Sequence, residues 1–339
     1  MNSKNTPTLK SSTIRVGLTI GDPYGIGPIV ALKALRVLGG SVRFTVIGDS
    51  FVLDRAAKAI NVKSPFASPG GHPMFDFVDL RNVKKNKFSF GRTGFEGGKA
   101  CFEYLDAATG MLSGKNIDCL VTCPISKEAI RLAGSKFTGH TEYLADRFGK
   151  KDTVMMLLNR KLNFSLFTRH LPIKRVSREI TCLKLRDHIL NTLTGLRQLF
   201  SMDNPRVVVC GLNPHASDNG LIGDEELKAI APAVTESRKR CGRAVIEGPF
   251  AADAAISMAA KNEFDCVIAL YHDQALIPLK LTGFDSGVNL TLGLPFVRTS
   301  PLHGTAFGLA SSNPAAAEAG SLISSIKLAI KCALNLKKA

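Results

Sequence analysis

Residues Thr13-Ile14-Arg15-Val16-Gly17-Leu18-Thr19-Ile20 run directly into Gly21-Asp22-Pro23-Tyr24-Gly25-Ile26-Gly27-Pro28. The first eight form a β-type run of apolar and β-branched side chains. The next eight are punctuated by glycine and proline and read as a loop. Pro28 suits the first turn of a helix, where its missing N–H costs nothing. Strand, loop and helix in that order predict an α/β unit. The loop is similar to a phosphate-cradling turn, although it is not GxGxxG, and neither a Rossmann fingerprint nor a Walker A motif occurs.

The same alternation continues outward. Strands are expected at 42–48, 117–122, 154–158, 162–168, 206–210, 266–271 and 288–292. Helices are expected from about 50 and over 96–112, 181–200, 224–239, 253–261 and 315–334. This order predicts an α/β sheet with helices on both faces. A chain of 339 residues holds two domains or one large one. No solenoid repeat or low-complexity linker interrupts it.

Composition narrows the function classes. There are 44 Lys+Arg against 28 Asp+Glu, a formal net charge of +16. That excess favours anionic partners: phosphate esters, carboxylates, nucleic acid or an acidic surface. Residues 150–187 carry ten basic and three acidic residues, a local net of +7. Trp is absent, and the basic runs lack the stacking platform of a nucleic-acid binder, so no nucleic-acid partner is expected. No apolar run reaches the roughly 18 residues of a membrane helix. The eight cysteines form no CxxC pair and read as small buried hydrophobes of a reducing compartment. Residues 1–12 lack the apolar segment of a secretory signal and read as a short tail, so the cytoplasm is the expected location.

Three histidines share one context. His170 ends Asn163-Phe164-Ser165-Leu166-Phe167-Thr168-Arg169-His170. His215 follows Val207-Val208-Val209-Cys210-Gly211-Leu212-Asn213-Pro214, and His272 follows Cys266-Val267-Ile268-Ala269-Leu270-Tyr271. Ligands of open α/β sheets bind outside the carboxyl ends of the strands. Three imidazoles there suit one divalent metal with an open coordination position, or else three hydrogen-bonded structural roles. Asp273 or Gln274 is placed to fix the His272 ring, or to cap the helix. In Phe137-Thr138-Gly139-His140-Thr141-Glu142, Thr138 or Thr141 caps a helix, and His140 beside it favours an anion site. Lys280, Asn289 and Arg298 fall near strand ends and suit the same anion. The loop His303-Gly304-Thr305-Ala306 has small residues that allow a ligand to approach the backbone.

These motifs, in this order, resemble the 4-hydroxythreonine-4-phosphate dehydrogenase family of vitamin B6 biosynthesis. The resemblance runs from about Arg15 to the last helix. It is carried by Gly21-Asp22-Pro23 with Gly25-Ile26-Gly27-Pro28, Thr122-Cys123-Pro124-Ile125-Ser126-Lys127, Gly139-His140-Thr141-Glu142 and Thr168-Arg169-His170. Gly211-Leu212-Asn213-Pro214-His215-Ala216, Tyr271-His272-Asp273-Gln274 and His303-Gly304-Thr305-Ala306 continue it. It implies the isocitrate/isopropylmalate dehydrogenase-like fold: two α/β/α domains with the active site in the cleft, in a homodimer. Residues 1–126 with 285–339 would form a discontinuous cofactor-side domain, and 127–284 the metal, substrate and dimerisation domain. His170, His215 and His272 would hold a divalent metal (zinc, cobalt, manganese, nickel or magnesium). His140, Thr141, Lys280, Asn289 and Arg298 would bind substrate, and Gly304, Thr305 and Ala306 the NAD or NADP cofactor. Asp253 matches a family aspartate and suits the general base, with His272 beside the chemistry; helix capping is Asp253's other reading. The implied reaction is oxidation of a small phosphorylated hydroxy acid, 4-phosphohydroxy-L-threonine, at its C3 hydroxyl. Decarboxylation to 3-amino-2-oxopropyl phosphate follows.

The chain departs from the family pattern at two places. The family usually has an acid just before His-Gly-Thr-Ala and often another soon after; here stand Leu302 and Gly308. In related enzymes such an acid binds the adenosine ribose, so the departure bears on NAD against NADP. The stretch after His215 reads Ser217-Asp218-Asn219-Gly220-Leu221-Ile222-Gly223, where the family has Gly-Glu-Gly-Gly-His-Met-Gly. The alternative reading is a sister dehydrogenase acting on threonate or erythronate 4-phosphate or on a dihydrodiol dicarboxylate.

Overall fold

The computed structural model describes residues 14–64, 66, 75–137 and 139–338. The expected tail at 1–12 and the Thr138 cap lie outside them. The chain divides into two compact units, Met1–His140 with His303–Ala333, and Thr141–Leu302 with Leu334–Ala339.

The first unit runs β1 (Arg15–Thr19), α1 (Gly27–Leu38), β2 (Arg43–Gly48), α2 (Ser50–Ala59), β3 (Phe75–Asp79), α3 (Phe95–Ser113), β4 (Cys119–Thr122) and α4 (Lys127–Leu132). Its strands lie in the order β3-β2-β1-β4, all parallel. β1, β2 and β4 are almost wholly buried, as a parallel sheet covered on both faces requires. Asp49 caps α2 by accepting the Phe51 N–H, and Ser126 caps α4 by accepting the Ala129 N–H.

The second unit follows with α5 (His140–Arg147), β5 (Val154–Leu158), β6 (Asn163–Leu166), α6 (Ile173–Glu179), α7 (Cys182–Phe200), β7 (Arg206–Cys210), α8 (Ala231–Arg238), β8 (Val245–Phe250), α9 (Ala252–Ala260), β9 (Cys266–Ala269), α10 (His272–Gly283), β10 (Val288–Leu292) and β11 (Val297–Pro301). The chain then returns to the first unit for α11 (Phe307–Ser312) and most of α12 (Gly320–Leu336). The second unit's strand order is β11-β10-β5-β6-β9-β7-β8. β6, β9, β7 and β8 are parallel, and β11, β10, β5 and β6 pair antiparallel. Phe164, Leu166, Val208, Val267 and Leu279 belong to its apolar core. Each such side chain contributes about 1.5–3 kcal/mol on full burial.

These borders differ from the expected 126/127 and 284/285. Residues 288–301 join the second unit because β10 pairs with β5 and β11 with β10. α4 stays with the first, since Gly98 of α3 lies so close to α4 that a Cβ there would meet the Ala129 carbonyl oxygen at 2.0 Å. The helix expected over 224–239 is a π-helical turn, Glu226–Ile230, followed by α8. Pro232 accounts for the break, because it has no N–H for the α-helical ladder.

The glycine-rich loop at 21–28 is buried throughout. Gly21 has φ +72°, and a Cβ there would lie 2.4 Å from the Pro124 carbonyl oxygen. The Ile26 N–H donates to Thr305 O at 2.9 Å. The glycines therefore serve backbone-to-backbone packing, and the phosphate-cradle reading of this loop does not hold.

Asp22 in that loop is fully buried. Its Oδ1 accepts the Tyr24 N–H at 3.0 Å, and Oδ2 has no hydrogen-bond partner among the described residues. Burial pushes its pKa from 3.8 up to about 7, against the Tyr24 hydrogen bond. The unfolded chain loses this proton near pH 3.8 while the folded protein keeps it to about pH 7. The folded state thus binds more protons between those values. Stability falls as pH rises from about 4 to about 7 and then levels off. The contribution is at most about 1.4 kcal/mol per pH unit. Asp22→Asn cannot ionise and is expected to remove this slope in denaturant unfolding at pH 5, 6, 7 and 8. Identical slopes in both proteins would contradict the assignment.

Candidate active site

His170, His215 and His272 follow the carboxyl ends of β6, β7 and β9. These strands are neighbours in the order β6-β9-β7 and all parallel. The topology therefore delivers the three loops to one edge of the second unit's sheet. Beyond β6 the backbone keeps pairing: Phe167 N–H donates to Ala269 O at 2.8 Å, and Thr168 Oγ1 donates to Leu270 O at 2.6 Å. That extension carries His170 alongside His272, with ring centroids 5.6 Å apart and planes at 45°. The pair lines a cavity of about 270 Å³ together with Thr168, Arg169, Tyr271 and Asp273.

His272 is the first residue of α10. Its Nδ1 lies 2.6 Å from Asp273 Oδ1. A carboxylate facing Nδ1 accepts its hydrogen, which leaves Nε2 as the nitrogen that a metal would take. Two imidazoles sharing one ion at about 2.1 Å have ring centres about 5–6 Å apart, and the His170–His272 spacing fits this. His215 is exposed in a 3₁₀ turn, Pro214–Asp218, and does not line that cavity. Among the described residues, no group of three or more His, Cys, Asp or Glu side chains is gathered for a metal.

The turn bearing His215 is strained. Five consecutive non-glycine residues, His215 to Asn219, have φ between 44° and 71°. Left-handed backbone costs roughly 1–2 kcal/mol per ordinary residue. Asp218, at φ 44°, is one of three exposed members of the run, with His215 and Asn219. Asp218→Gly is expected to raise the unfolding free energy by about 1 kcal/mol, read from a denaturant midpoint. An unchanged or lower midpoint would count against the strain.

The anion-binding candidates divide. Arg298 is 2% exposed in β11, directly opposite Thr291 of β10. Its Nη1 donates to Thr141 Oγ1 at 3.5 Å and to Thr291 Oγ1 at 3.4 Å. Burial holds its pKa down to about 10, while the Glu142 carboxylate opposes that shift. Strand register puts Asn289 on the same face as Thr291 and Arg298. Its Oδ1 is buried and accepts no hydrogen bond among the described residues. Thr141 is buried in the first turn of α5, next to His140, where that helix begins. Lys280 is different. It is exposed near the end of α10, about 12 Å along the axis from His272, and its Nζ lies 5.6 Å from the Phe284 ring centroid.

Asp253 is exposed in the first turn of α9. The residue at the cap is Ala251, which makes no side-chain cap bond, so Asp253 is not the capping residue. Gly304, Thr305 and Ala306 lie in the first unit. Thr305 accepts the Ile26 N–H, and Ala306 adopts φ 41° where α11 begins. A Cβ added at Gly304 or Gly308 would meet nothing within 4 Å among the described residues. Leu302, which stands where the family has an acid, packs against the second unit's core and over Gly287.

Three features escaped the sequence reading. Arg169, largely buried, donates from Nη2 to Thr153 O at 2.8 Å and pairs with Glu142 at 3.7 Å. Its place immediately before His170 was the available signal. His188 is held neutral by burial, with its pKa near 3, and lies 2.8 Å from Ser165 Oγ on β6. Glu226 is a carboxylate 2% exposed, buried beside the His215 loop.

A sequence profile of the pyridoxal phosphate biosynthetic protein PdxA family matches residues 41–329. The 4-hydroxythreonine-4-phosphate dehydrogenase of Desulfosudis oleivorans is 41% identical, over 95% of this chain and 97% of that protein. The chain belongs to the PdxA family. A crystal structure of the Klebsiella pneumoniae 4-hydroxythreonine-4-phosphate dehydrogenase superposes with a TM-score of 0.82 at 32% identity, covering 96% of this chain and 99% of that one. The mixed α/β fold is thus that of solved PdxA structures. A relative from Symbiobacterium thermophilum, provisionally named a D-threonate 4-phosphate dehydrogenase, is 36% identical over 95% of this chain and 98% of that protein. These PdxA relatives are dehydrogenases, and the chain is an oxidoreductase of their family. Among its described residues no helix is long and apolar enough to cross a membrane.

Proposed function

We propose that this chain oxidises 4-phosphohydroxy-L-threonine at its C3 hydroxyl with NAD or NADP, and that loss of CO₂ then yields 3-amino-2-oxopropyl phosphate. The observation that carries this reading is the delivery of three histidine loops to one sheet edge by β6, β9 and β7, in a PdxA-family chain. A divalent ion held by His170, His215 and His272 would supply Lewis-acid polarisation of the substrate oxygen. Arg298 and Asn289, with Thr141 and His140, bind the phosphate, and Lys280 serves the same anion. Asp253 receives the hydroxyl proton. Asp273 holds the His272 ring in one tautomer through Nδ1. Gly304, Thr305 and Ala306 face the cofactor. The enzyme works as a cytoplasmic homodimer.

A second reading is favoured by the Symbiobacterium relative: oxidation of a four-carbon sugar-acid phosphate. Steady-state assays with 4-phosphohydroxy-L-threonine and with threonate 4-phosphate, each with NAD and NADP, separate the two. Turnover of the first substrate at the higher kcat/KM is expected, and no turnover of it would sink the leading reading. Calorimetric titration with NAD in the presence of substrate is expected to saturate. Absence of binding by both NAD and NADP would make the chain a binding protein that has lost its cofactor.

A further inference from the structure

The geometry points to Gln274 as a positioning residue that locks the His215 loop to the start of α10. This inference rests on the metal reading of His170, His215 and His272. Gln274 is 6% exposed, two residues after His272. Its Oε1 accepts the Leu270 N–H at 2.7 Å, at the end of β9. Its Nε2 donates to Gly211 O at 2.9 Å, at the end of β7. One amide thus bridges the strand ends that launch His272 and His215. From sequence, Asp273 or Gln274 could hold the imidazole; Asp273 takes that place, and Gln274 holds backbone instead.

Residues 211–213, which lead into His215, are held by further bonds. Gly211 N–H donates to Phe250 O at 2.7 Å. Leu212 N–H and Asn213 N–H donate to Glu226 Oε1 at 2.7 and 2.8 Å, and Asn213 Nδ2 donates to Glu226 Oε2 at 2.8 Å. Charge-assisted bonds to a buried carboxylate are among the stronger ones in proteins. Backbone from 211 to 213 is therefore fixed on both sides, and the Gln274 bond ties this assembly to the His272 helix. A donor and an acceptor are both needed, which an amide supplies and a carboxylate does not. Gln274→Glu would set a carboxylate oxygen against the Gly211 carbonyl. Gln274→Met would remove both bonds at similar volume.

Cobalt(II) alone, titrated into the chelator-treated full chain, tests this by calorimetry and visible absorption, with thermal unfolding of the metal-free protein alongside. Gln274→Met and Gln274→Glu are expected to weaken cobalt binding about 10–100-fold, as loss of an outer-shell partner does. In the His215→Ala background, Gln274→Met is expected to add no further loss, because it acts through His215. If Gln274→Met fails to fold, Gln274→Glu and Gln274→Asn carry the comparison. Cobalt affinity unchanged in the folded variants, with only the melting temperature lowered, would overturn the positioning role and leave the metal reading standing. A wild-type chain that binds no cobalt would overturn both, and that failure appears before any variant is made.

Discussion

Arg298→Met is expected to lower kcat/KM for the phosphorylated substrate about 10²–10³-fold while leaving the protein as stable as before, or more so. The two halves of this expectation have one cause. The guanidinium is 2% exposed, so the fold itself has already met the cost of desolvating the cation. Its contacts with Thr141 and Thr291 are long bonds to neutral hydroxyls, and burial depresses its pKa to about 10. Glu142 opposes that depression but also pairs with Arg169 and is 44% exposed at its side chain. A phosphate dianion beside Arg298 would regain much of the lost solvation through short, charge-assisted bonds. Truncating one partner of such a buried pair costs roughly 2–5 kcal/mol of binding, a range that brackets the fold-change given. Glu142, half-exposed and paired with Arg169, is not left as a buried lone charge, and replacing a whole buried ion pair by apolar side chains is often neutral or stabilising by about 1–4 kcal/mol. Arg298→Lys keeps the charge but not the planar fork and is expected to fall between. The measurements are steady-state kinetics and denaturant unfolding, with and without inorganic phosphate. Phosphate should stabilise the wild type and not the methionine variant. A kcat/KM within tenfold of wild type would remove Arg298 from the substrate site.

The α/β alternation was legible because most core strands are continuous apolar runs. Val207-Val208-Val209 and Cys266-Val267-Ile268 leave little room for another reading. β11 was not legible for the opposite reason. All five of its residues are buried, yet Arg298, Thr299 and Ser300 are polar, so no hydrophobic pattern marks it. Pairing with β10 satisfies its backbone, and that partner is a tertiary fact. α10 was obscured by Pro278, which ordinarily argues against a helix interior. β8 was obscured by Gly248-Pro249 within its span. The same divide runs through the site. Each histidine could be found because it closes an apolar run. That β6, β9 and β7 are neighbours could not, since strand order is set by pairings far apart in sequence. Lys280 could be set near the anion by its position alone, but the approach of its Nζ to the Phe284 ring, 5.6 Å from the centroid, appears only once α10 is folded. Glu226 looked like an ordinary helix acid. Only the folded backbone shows it accepting the Leu212 and Asn213 amides.

His272→Ala is expected to abolish tight divalent-metal binding and to reduce kcat/KM by about 10³-fold or more. His272 and His170 are the two imidazoles that the structure brings side by side, with centroids 5.6 Å apart and planes tilted at 45°, and alanine leaves one of them. The loss is expected to be specific. Alanine has the highest helix propensity, so α10 keeps its first turn, and the metal-free variant should unfold close to the metal-free wild type. What disappears is the stabilisation on adding metal, about 2.7 kcal/mol when the ion stands at 100 times its dissociation constant. Asp273→Asn supplies the contrast. It keeps the ring but removes the carboxylate that fixes Nδ1, and is expected to weaken metal binding only about 10–100-fold. The ordering of wild type, Asp273→Asn and His272→Ala distinguishes a ligand from a histidine that merely packs near the cavity. A packing role would lower the metal-free stability of His272→Ala and leave metal occupancy intact. Full occupancy in that variant would contradict the assignment of His272, and with it the reason for reading three strand-end histidines as one centre.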